Sequence, residues 1–133
     1  MIRSLLLVVA LATACRQDDA LSPAGIDLDE RSMAVTSQVD GAAVVVRNAA
    51  DFPVRVALVE RQTADTDLAT WCFGSDDCGT AIAAGGELRV PLTSVQGYRA
   101  SADEVVVFWW NPADPQRPAG EPAPVVSQSV HLR

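Results

Sequence analysis

Apolar and polar side chains alternate with a period of two along much of the chain after about residue 33. In the clearest segment, Val54, Val56 and Leu58 share one face, and arginines at positions 55 and 61 share the other. Successive side chains of a β-strand point to opposite faces of its sheet. This alternation therefore predicts a strand in a sheet with one buried side and one solvent-exposed side.

The longest apolar run outside the N-terminus is Glu104–Trp110, and it consists almost entirely of β-branched and aromatic residues. Such a run is typical of a central strand that is buried on both faces. Adjacent strand residues diverge, so Trp109 and Trp110 must lie on opposite faces. Because the face of Trp110 also holds Phe108 and is the bulkier one, we expect it to fill the space between two sheets. Trp109 is then expected on the outer face, partly exposed.

Turn residues separate the other predicted strands. Asp40-Gly41 lies between two alternating segments, and it favours a hairpin with a type I′ turn, in which both central residues have positive φ. The second strand of this hairpin should direct Val44 and Val46 inward. Pro91 interrupts a later alternating segment, and its missing N–H confines that strand to a sheet edge or a bulge.

Six or seven short strands with turn signals between them, and no helical period of any length, predict an all-β fold. We expect a single antiparallel β-sandwich over residues 32–133. Its size of about 100 residues is that of an immunoglobulin-like domain, which the body of the chain resembles. An eight-stranded ligand-holding barrel is the alternative, but the strands are too few for it.

The N-terminus has the order of a secretory signal peptide over residues 1–14. Arg3 supplies a positive charge, residues 4–12 form a short apolar run, and Ala12-Thr13-Ala14 precedes Cys15. The apolar run is shorter than the roughly 20 residues that span a bilayer. Export is therefore expected. The polar, acidic residues 15–31 that follow show no sustained period, and we interpret them as a flexible tether.

The cleavage region resembles the lipobox of bacterial lipoproteins. In that family a Leu and two small residues precede a Cys that receives a diacylglyceryl group and becomes the first residue of the mature protein. Thr13 and Ala14 fit, but Leu11 lies one place further out than the family's Leu, where this chain has Ala12. The resemblance implies a lipid on Cys15, a membrane partner and a place in the cell envelope, at the outer membrane where the cell has one. Cleavage by ordinary signal peptidase, which gives a secreted or soluble periplasmic protein, is the alternative.

Charge and composition narrow the possible functions. The net charge is −7, there is no lysine, and the arginines are not clustered, which argues against a nucleic-acid partner. The sequence has one histidine and no Gly-rich phosphate loop. We therefore expect no catalysis, no metal and no cofactor.

Cys72 and Cys78 are predicted to form a disulfide, because closely spaced cysteines in an exported chain are usually paired. A redox pair would more often have C-x-x-C spacing, and a metal site would need further Cys or His ligands. Nearby acidic residues are interpreted as a solvated loop, since their spacing does not match a calcium-binding loop. These acidic residues are Asp65, Asp67, Asp76 and Asp77.

Two binding hypotheses remain open. In the first, the domain binds or scaffolds an envelope protein through the Pro-rich loop 111–124 and the loop 72–78. In the second, it binds a glycan or small molecule through an exposed tryptophan, because indole rings commonly anchor ligands. Trp71, Trp109 and Trp110 are the candidate binding residues. His131 is expected to be an ordinary surface residue on the polar face of the last strand.

Overall fold

The computed structural model of the protein describes residues 34–67 and 72–133. This part of the chain consists of β-strands, one short α-helix and one 3-10 turn. In chain order the elements are β1 (Val35–Asp40), β2 (Ala43–Asn48), β3 (Val54–Glu60), α1 (Arg61–Asp67), β4 (Thr80–Ile82), β5 (Glu87–Pro91), the 3-10 turn (Leu92–Ser94), β6 (Glu104–Trp110) and β7 (Val125–His131).

The strands form two sheets with the orders β1-β2-β5 and β4-β3-β6-β7. Every neighbouring pair is antiparallel. Valines of both sheets meet in one buried cluster, as in two sheets packed face to face. The predicted antiparallel β-sandwich is confirmed. Constant-type immunoglobulin domains hold their fourth strand beside the fifth, whereas β4 here lies beside β3.

β6 is the central strand of the larger sheet, as its composition predicted. It pairs with β3 along one edge and with β7 along the other. All of its residues after Glu104 are buried. A strand with neighbours on both edges and cover on both faces has no position for a polar side chain, which explains its uninterrupted apolar run.

The predicted orientation of β6 is wrong. Trp109 lies in the cluster between the sheets and is 2% exposed, while Phe108 and Trp110 lie on the opposite face. Strand register decides this, because Trp109 is paired with Val56, whose side chain points between the sheets. Bulk was a poor guide because the outer face is not open to solvent. This face forms one side of a second apolar cluster.

This second cluster lies between the four-stranded sheet and three covering segments. Ala64 of α1, Phe73 of the loop 72–78 and Ala123 of the loop 111–124 pack onto it. The predicted solvent-exposed side of β3 is therefore wrong, and Arg55 is only partly exposed there. The solvent-exposed face belongs to the three-stranded sheet instead. Ion pairs cross that face, Arg47–Glu87 at 2.8 Å and Arg89–Asp40 at 2.7 Å.

Helix α1 was not predicted from the sequence. It has only seven residues, and Ala64 is its one buried position among the side chains described, so no helical period could show. The buried Glu60 at the end of β3 caps it, since the carboxylate accepts a hydrogen bond from the Thr63 N–H at 3.0 Å. The strand β4 was also missed. It has three residues, too few for an alternation to be recognised.

The predicted β1–β2 hairpin is confirmed, but its turn is of a different type. Asp40 pairs with Ala43, so the two central residues are Gly41 and Ala42. Gly41 has a φ of 61°, and no non-glycine residue in the described chain has positive φ. A single positive φ at the first central position is typical of a type II′ turn rather than the predicted type I′.

Asn48 joins the two sheets at the end of β2, and it is fully buried. Its Nδ2 lies within hydrogen-bond distance of the carbonyl oxygens of Phe52, Ile82 and Ala83, at 2.9, 3.3 and 3.2 Å. Its Oδ1 accepts a hydrogen bond from the Ala50 N–H at 3.0 Å. These contacts fix the turn after β2 against the end of β4, because buried carbonyls need donors.

The two ends of the sandwich carry different loops. We call the end at which β6 ends and β7 begins the near end. The far end is the opposite one, at which β6 begins and β7 ends. β1 starts at the near end, because Val35 pairs with Asn48, which binds the last residue of β4, Ile82. The chain therefore enters the described domain at the same end as the loop 111–124.

Candidate functional site

The predicted disulfide between Cys72 and Cys78 is present, with the two Cα atoms 5.6 Å apart. The sheet beneath fixes the loop 72–78 through two side chains. Arg55 Nε donates to the Cys78 carbonyl at 2.6 Å, and the Trp110 indole N–H donates to the Ser75 carbonyl at 2.9 Å. The disulfide therefore closes a loop that is already held on the outer face of the four-stranded sheet.

Phe73 supplies the apolar contact of this loop with the sheet. Its ring is stacked on Phe108 with the centroids 4.6 Å apart, and it lies 5.6 Å from the Trp110 ring. Aromatic pairs at these separations add stability beyond the area they bury. The loop 72–78 thus covers the second apolar cluster.

The Pro-rich loop 111–124 is ordered by its own polar groups. Arg117 donates to the Pro112 carbonyl at 2.9 Å and also to the Glu121 carbonyl. The Asn111 carboxamide oxygen accepts from the Ala113 N–H at 3.0 Å, which forms an Asx turn at the start of the loop. One arginine therefore spans most of this loop and holds its two halves together.

The structure brings the loops 72–78 and 111–124 together, although the sequence indicated them only as separate candidates. The Ala123 N–H donates to the Gly74 carbonyl at 2.9 Å, and Arg117 lies 3.7 Å from the Asp76 carboxylate. Gly74 is required here, because its φ is 84° and a Cβ would lie 2.6 Å from the Ala123 carbonyl. We call the exposed residues of these two loops and the adjoining Val125 the near-end surface.

The near-end surface carries exposed apolar side chains and exposed carboxylates. Val125 is 39% exposed, the largest exposure of a large hydrophobic side chain in the described chain. The carboxylates of Asp77 and Glu121 make no ion pair with the described residues, whereas every described arginine has a polar partner. The exposed prolines of this surface are Pro115, Pro118, Pro122 and Pro124.

Two of the three candidate binding tryptophans are buried in the described structure. Trp71 lies outside the described residues. Trp109 and Trp110 are 2% and 0% exposed, so neither offers a ring face to a ligand. The expectation of a partly exposed Trp109 was wrong because the second sheet covers the face on which this residue lies.

The two buried indoles differ in their hydrogen bonding, and this predicts an order of stability. Trp109 Nε1 is buried without a partner, whereas Trp110 Nε1 donates to the Ser75 carbonyl. Trp109→Phe removes an unsatisfied donor, and Trp110→Phe removes a hydrogen bond. We expect Trp110→Phe to lower the free energy of unfolding by about 1 kcal/mol more than Trp109→Phe. Urea denaturation measures both, and equal midpoints would contradict this assignment.

The predicted acidic loop is divided between two parts of the fold. Asp65 lies in α1 and pairs at 3.6 Å with Arg61, the first residue of this helix. Asp76 faces Arg117 in the near-end surface. The side chain of Asp67 is outside the described part, and that of Asp77 is exposed. Within residues 34–67 and 72–133, no three His, Cys, Asp or Glu side chains are grouped to hold a metal ion.

A second polar feature, not predicted from the sequence, lies at the far end. A cavity of about 390 Å³ is lined there by charged side chains that include Glu60, Arg61, Arg99 and Glu104. Arg61 pairs with Glu104 at 2.7 Å, and Arg99 lies 3.5 Å from the buried Glu60. The only sequence signal for this network is the charge of Glu60 at the end of the alternating segment that forms β3.

The carboxylates of the far end are held in their ionised form. The hydrogen bond from Arg61, with a smaller one from Ser129, lowers the pKa of Glu104 to about 2. Burial alone would raise the pKa of Glu60, but hydrogen bonds from the backbone N–H groups of Gln62 and Thr63 lower it overall. His131 is exposed and lies opposite Glu104 in the β6–β7 register.

These lowered pKa values predict an acid-dependent loss of stability. A carboxylate with a lower pKa in the folded state contributes its full stabilisation above the unfolded pKa, near 4.5, and loses it as the pH falls towards the folded value of about 2. We expect the thermal midpoint to fall through this range. Glu104→Gln should reduce the slope there, whereas Glu87→Gln, at an exposed pair, should leave it unchanged. Parallel slopes for all three proteins would contradict the prediction.

None of the helices in the described residues is long and apolar enough to cross a membrane. Comparison of the chain with known protein families, curated proteins and solved structures finds no match.

Proposed function

We propose that this protein is an exported, lipid-anchored module of the cell envelope that acts by binding or scaffolding a protein partner, without catalysis of its own. The near-end surface is the proposed contact site. The observation that carries this proposal is the docking of the loops 72–78 and 111–124 into one continuous surface.

The sequence supports the export and anchoring part of the proposal. Residues 1–15 resemble a lipoprotein signal with Cys15 at the cleavage site. The disulfide between Cys72 and Cys78 fits an oxidising compartment and leaves Cys15 as the single cysteine of the chain outside that bond. A lipid on Cys15 would account for it. In the bacterial lipoproteins that this signal resembles, an Asp directly after the cysteine often marks retention at the inner membrane. This chain has Arg16 at that position, so the outer membrane is the proposed destination.

The composition of the near-end surface supports the binding part. Exposed prolines and Val125 offer apolar contact area that costs little side-chain entropy to bury. The exposed carboxylates of Asp77 and Glu121 pair with no described residue, and they favour a partner with positive charge facing them. The chain also enters the described domain at this end.

Mass spectrometry of the mature protein, made from the full chain in a diderm bacterial host, tests the anchoring. We expect a diacylglyceryl modification on Cys15, no free thiol, and recovery in the membrane fraction. Cys15→Ser should abolish the modification and release the protein from membranes. An unmodified Cys15 at the N-terminus of the processed wild-type chain would instead show a secreted protein.

Affinity capture from the bacterium's own envelope tests the contact site. We expect a partner to be retained by the wild-type chain and lost with Asp77→Arg/Glu121→Arg, which reverses both free charges. The matched control is Thr36→Arg/Gln38→Arg, which places two arginines on the exposed face of the three-stranded sheet. Equal recovery by both double variants would place the contact elsewhere.

A further inference from the structure

Among the described residues, β7 is the longest edge strand, and it forms no backbone hydrogen bond to a further strand, although β1 of the other sheet approaches it at Gln128. β4 is only three residues long. β5 carries two charged residues and Pro91, which are ordinary protections against pairing with another chain. On β1, the Val35 carbonyl accepts a hydrogen bond from the Gln128 side chain at 2.6 Å. β7 has seven residues in unbroken register, with no proline and no acidic or arginine residue.

The register shows which backbone groups of β7 point away from β6. The Leu132 N–H donates to the Asp103 carbonyl at 2.8 Å, one pair beyond the end of the strand. In an antiparallel ladder, hydrogen-bonded pairs alternate with pairs whose N–H and C=O groups point outward. The outward positions are therefore Val125, Ser127, Ser129 and His131, and all four residues are exposed. No backbone hydrogen bond joins them to another described element.

The central five residues of β7 are symmetric about Gln128. Residues 126–130 read Val-Ser-Gln-Ser-Val in both directions. If two copies pair antiparallel with Gln128 on the two-fold axis, Ser127 lies opposite the partner's Ser129, and Val125 lies opposite the partner's His131. Both pairs join outward positions, so every outward N–H and C=O of β7 finds a complement. Gln128 lies opposite the partner's Gln128, at a pair that exchanges no backbone hydrogen bonds. Its side chain keeps the hydrogen bond to β1.

We propose that β7 is a self-association edge, through which two copies of this chain join their four-stranded sheets into one continuous eight-stranded sheet. A second copy suits this edge because a two-fold interface pairs residue i with residue j of the partner and residue j with residue i of the partner. Each copy carries a net charge of −7, so close approach is tolerated only along a surface without carboxylates, and β7 provides one. This inference does not depend on the lipid anchor or on the near-end surface.

Sedimentation velocity on the full chain, purified in detergent over a concentration series, measures the association. Ser127→Lys/Ser129→Lys sets lysine opposite lysine at both symmetric pairs, and Ser127→Lys/Ser129→Glu sets lysine opposite glutamate. We expect the wild type to dimerise and the double-lysine variant to dissociate at about tenfold higher concentration or more, since like charges directly opposite are destabilising. The lysine–glutamate variant should recover dimerisation. Circular dichroism confirms that each variant is folded.

Three outcomes would overturn the proposal. The first is a wild-type chain that stays monomeric up to its solubility limit, which would also result if the edge served a strand from another protein. The second is a dimer that the double-lysine variant leaves unchanged, because the copies would then meet elsewhere. The third is dissociation of both charged variants to the same extent, because the register centred on Gln128 would then be wrong.

Discussion

Replacing Asn48 with Asp is expected to unfold the domain or leave it barely stable. The Asn48 amide nitrogen is surrounded by the carbonyl oxygens of Phe52, Ile82 and Ala83 in a fully buried site. A carboxylate has no donor for them, so the substitution places a negative charge against three unsatisfied oxygens. Removing one partner from a buried polar cluster and leaving an unpaired charge costs about 3–5 kcal/mol, a large share of the 5–15 kcal/mol typical of a domain.

Asn111→Asp is the matched control, because it makes the same chemical change where only an oxygen acceptor is used. The Asn111 Oδ1 accepts from the Ala113 N–H, and an aspartate can do the same. Thermal denaturation should show Asn111→Asp close to wild type and Asn48→Asp strongly destabilised. If the two midpoints lay within a few degrees of each other, Asn48 would not be the polar junction between the sheets.

Val107→Asp and Val106→Asp are expected to have comparably large effects, each through a different core. Val107 is 0% exposed between the two sheets, and Val106 is 2% exposed in the second cluster beneath α1. In either place a carboxylate would be buried without a partner, which costs several kcal/mol. Circular dichroism at increasing temperature should show that neither variant has a cooperative transition near that of the wild type.

Two controls separate burial from other effects. Thr36→Asp adds the same charge on an exposed strand position that faces Arg47 across the ladder, and it should leave the thermal midpoint nearly unchanged. Arg117→Ala should loosen the loop 111–124 while the domain stays folded, since Arg117 bonds to that loop and to Asp76 rather than to either core. A stable Val106→Asp with an unfolded Val107→Asp would mean that the second cluster is dispensable.

The second cluster covers part of the outer face of the four-stranded sheet. Phe108 and Trp110 lie there beneath the two loops, so neither ring is open to a ligand. What the loops present outward instead is proline and carboxylate, at the end where the chain enters. On these grounds we propose a loop-based contact with another protein rather than a tryptophan-based site for a glycan.

The local pattern of apolar, polar and turn residues was sufficient to predict the elements whose conformation depends mainly on residues close in the chain. β3 has an inward face of Val54, Val56 and Leu58 that its alternation revealed, and β6 has an apolar run that only a central strand tolerates. The hairpin after β1 followed from a glycine at the turn, and the disulfide followed from the spacing of Cys72 and Cys78. In each case the physical cause acts within a few residues, so the sequence alone determined the outcome.

Tertiary structure alone decided what depends on distant partners. The orientation of β6 could not be read from a strand that is apolar on both faces, because only its pairing with β3 distinguishes Trp109 from Trp110. The sequence around Asn48 has no feature that marks a buried side chain, and only the approach of β4 makes this residue a buried junction. The docking of the loops 72–78 and 111–124 and the open edge of β7 likewise arise from strand order, which no local pattern encodes.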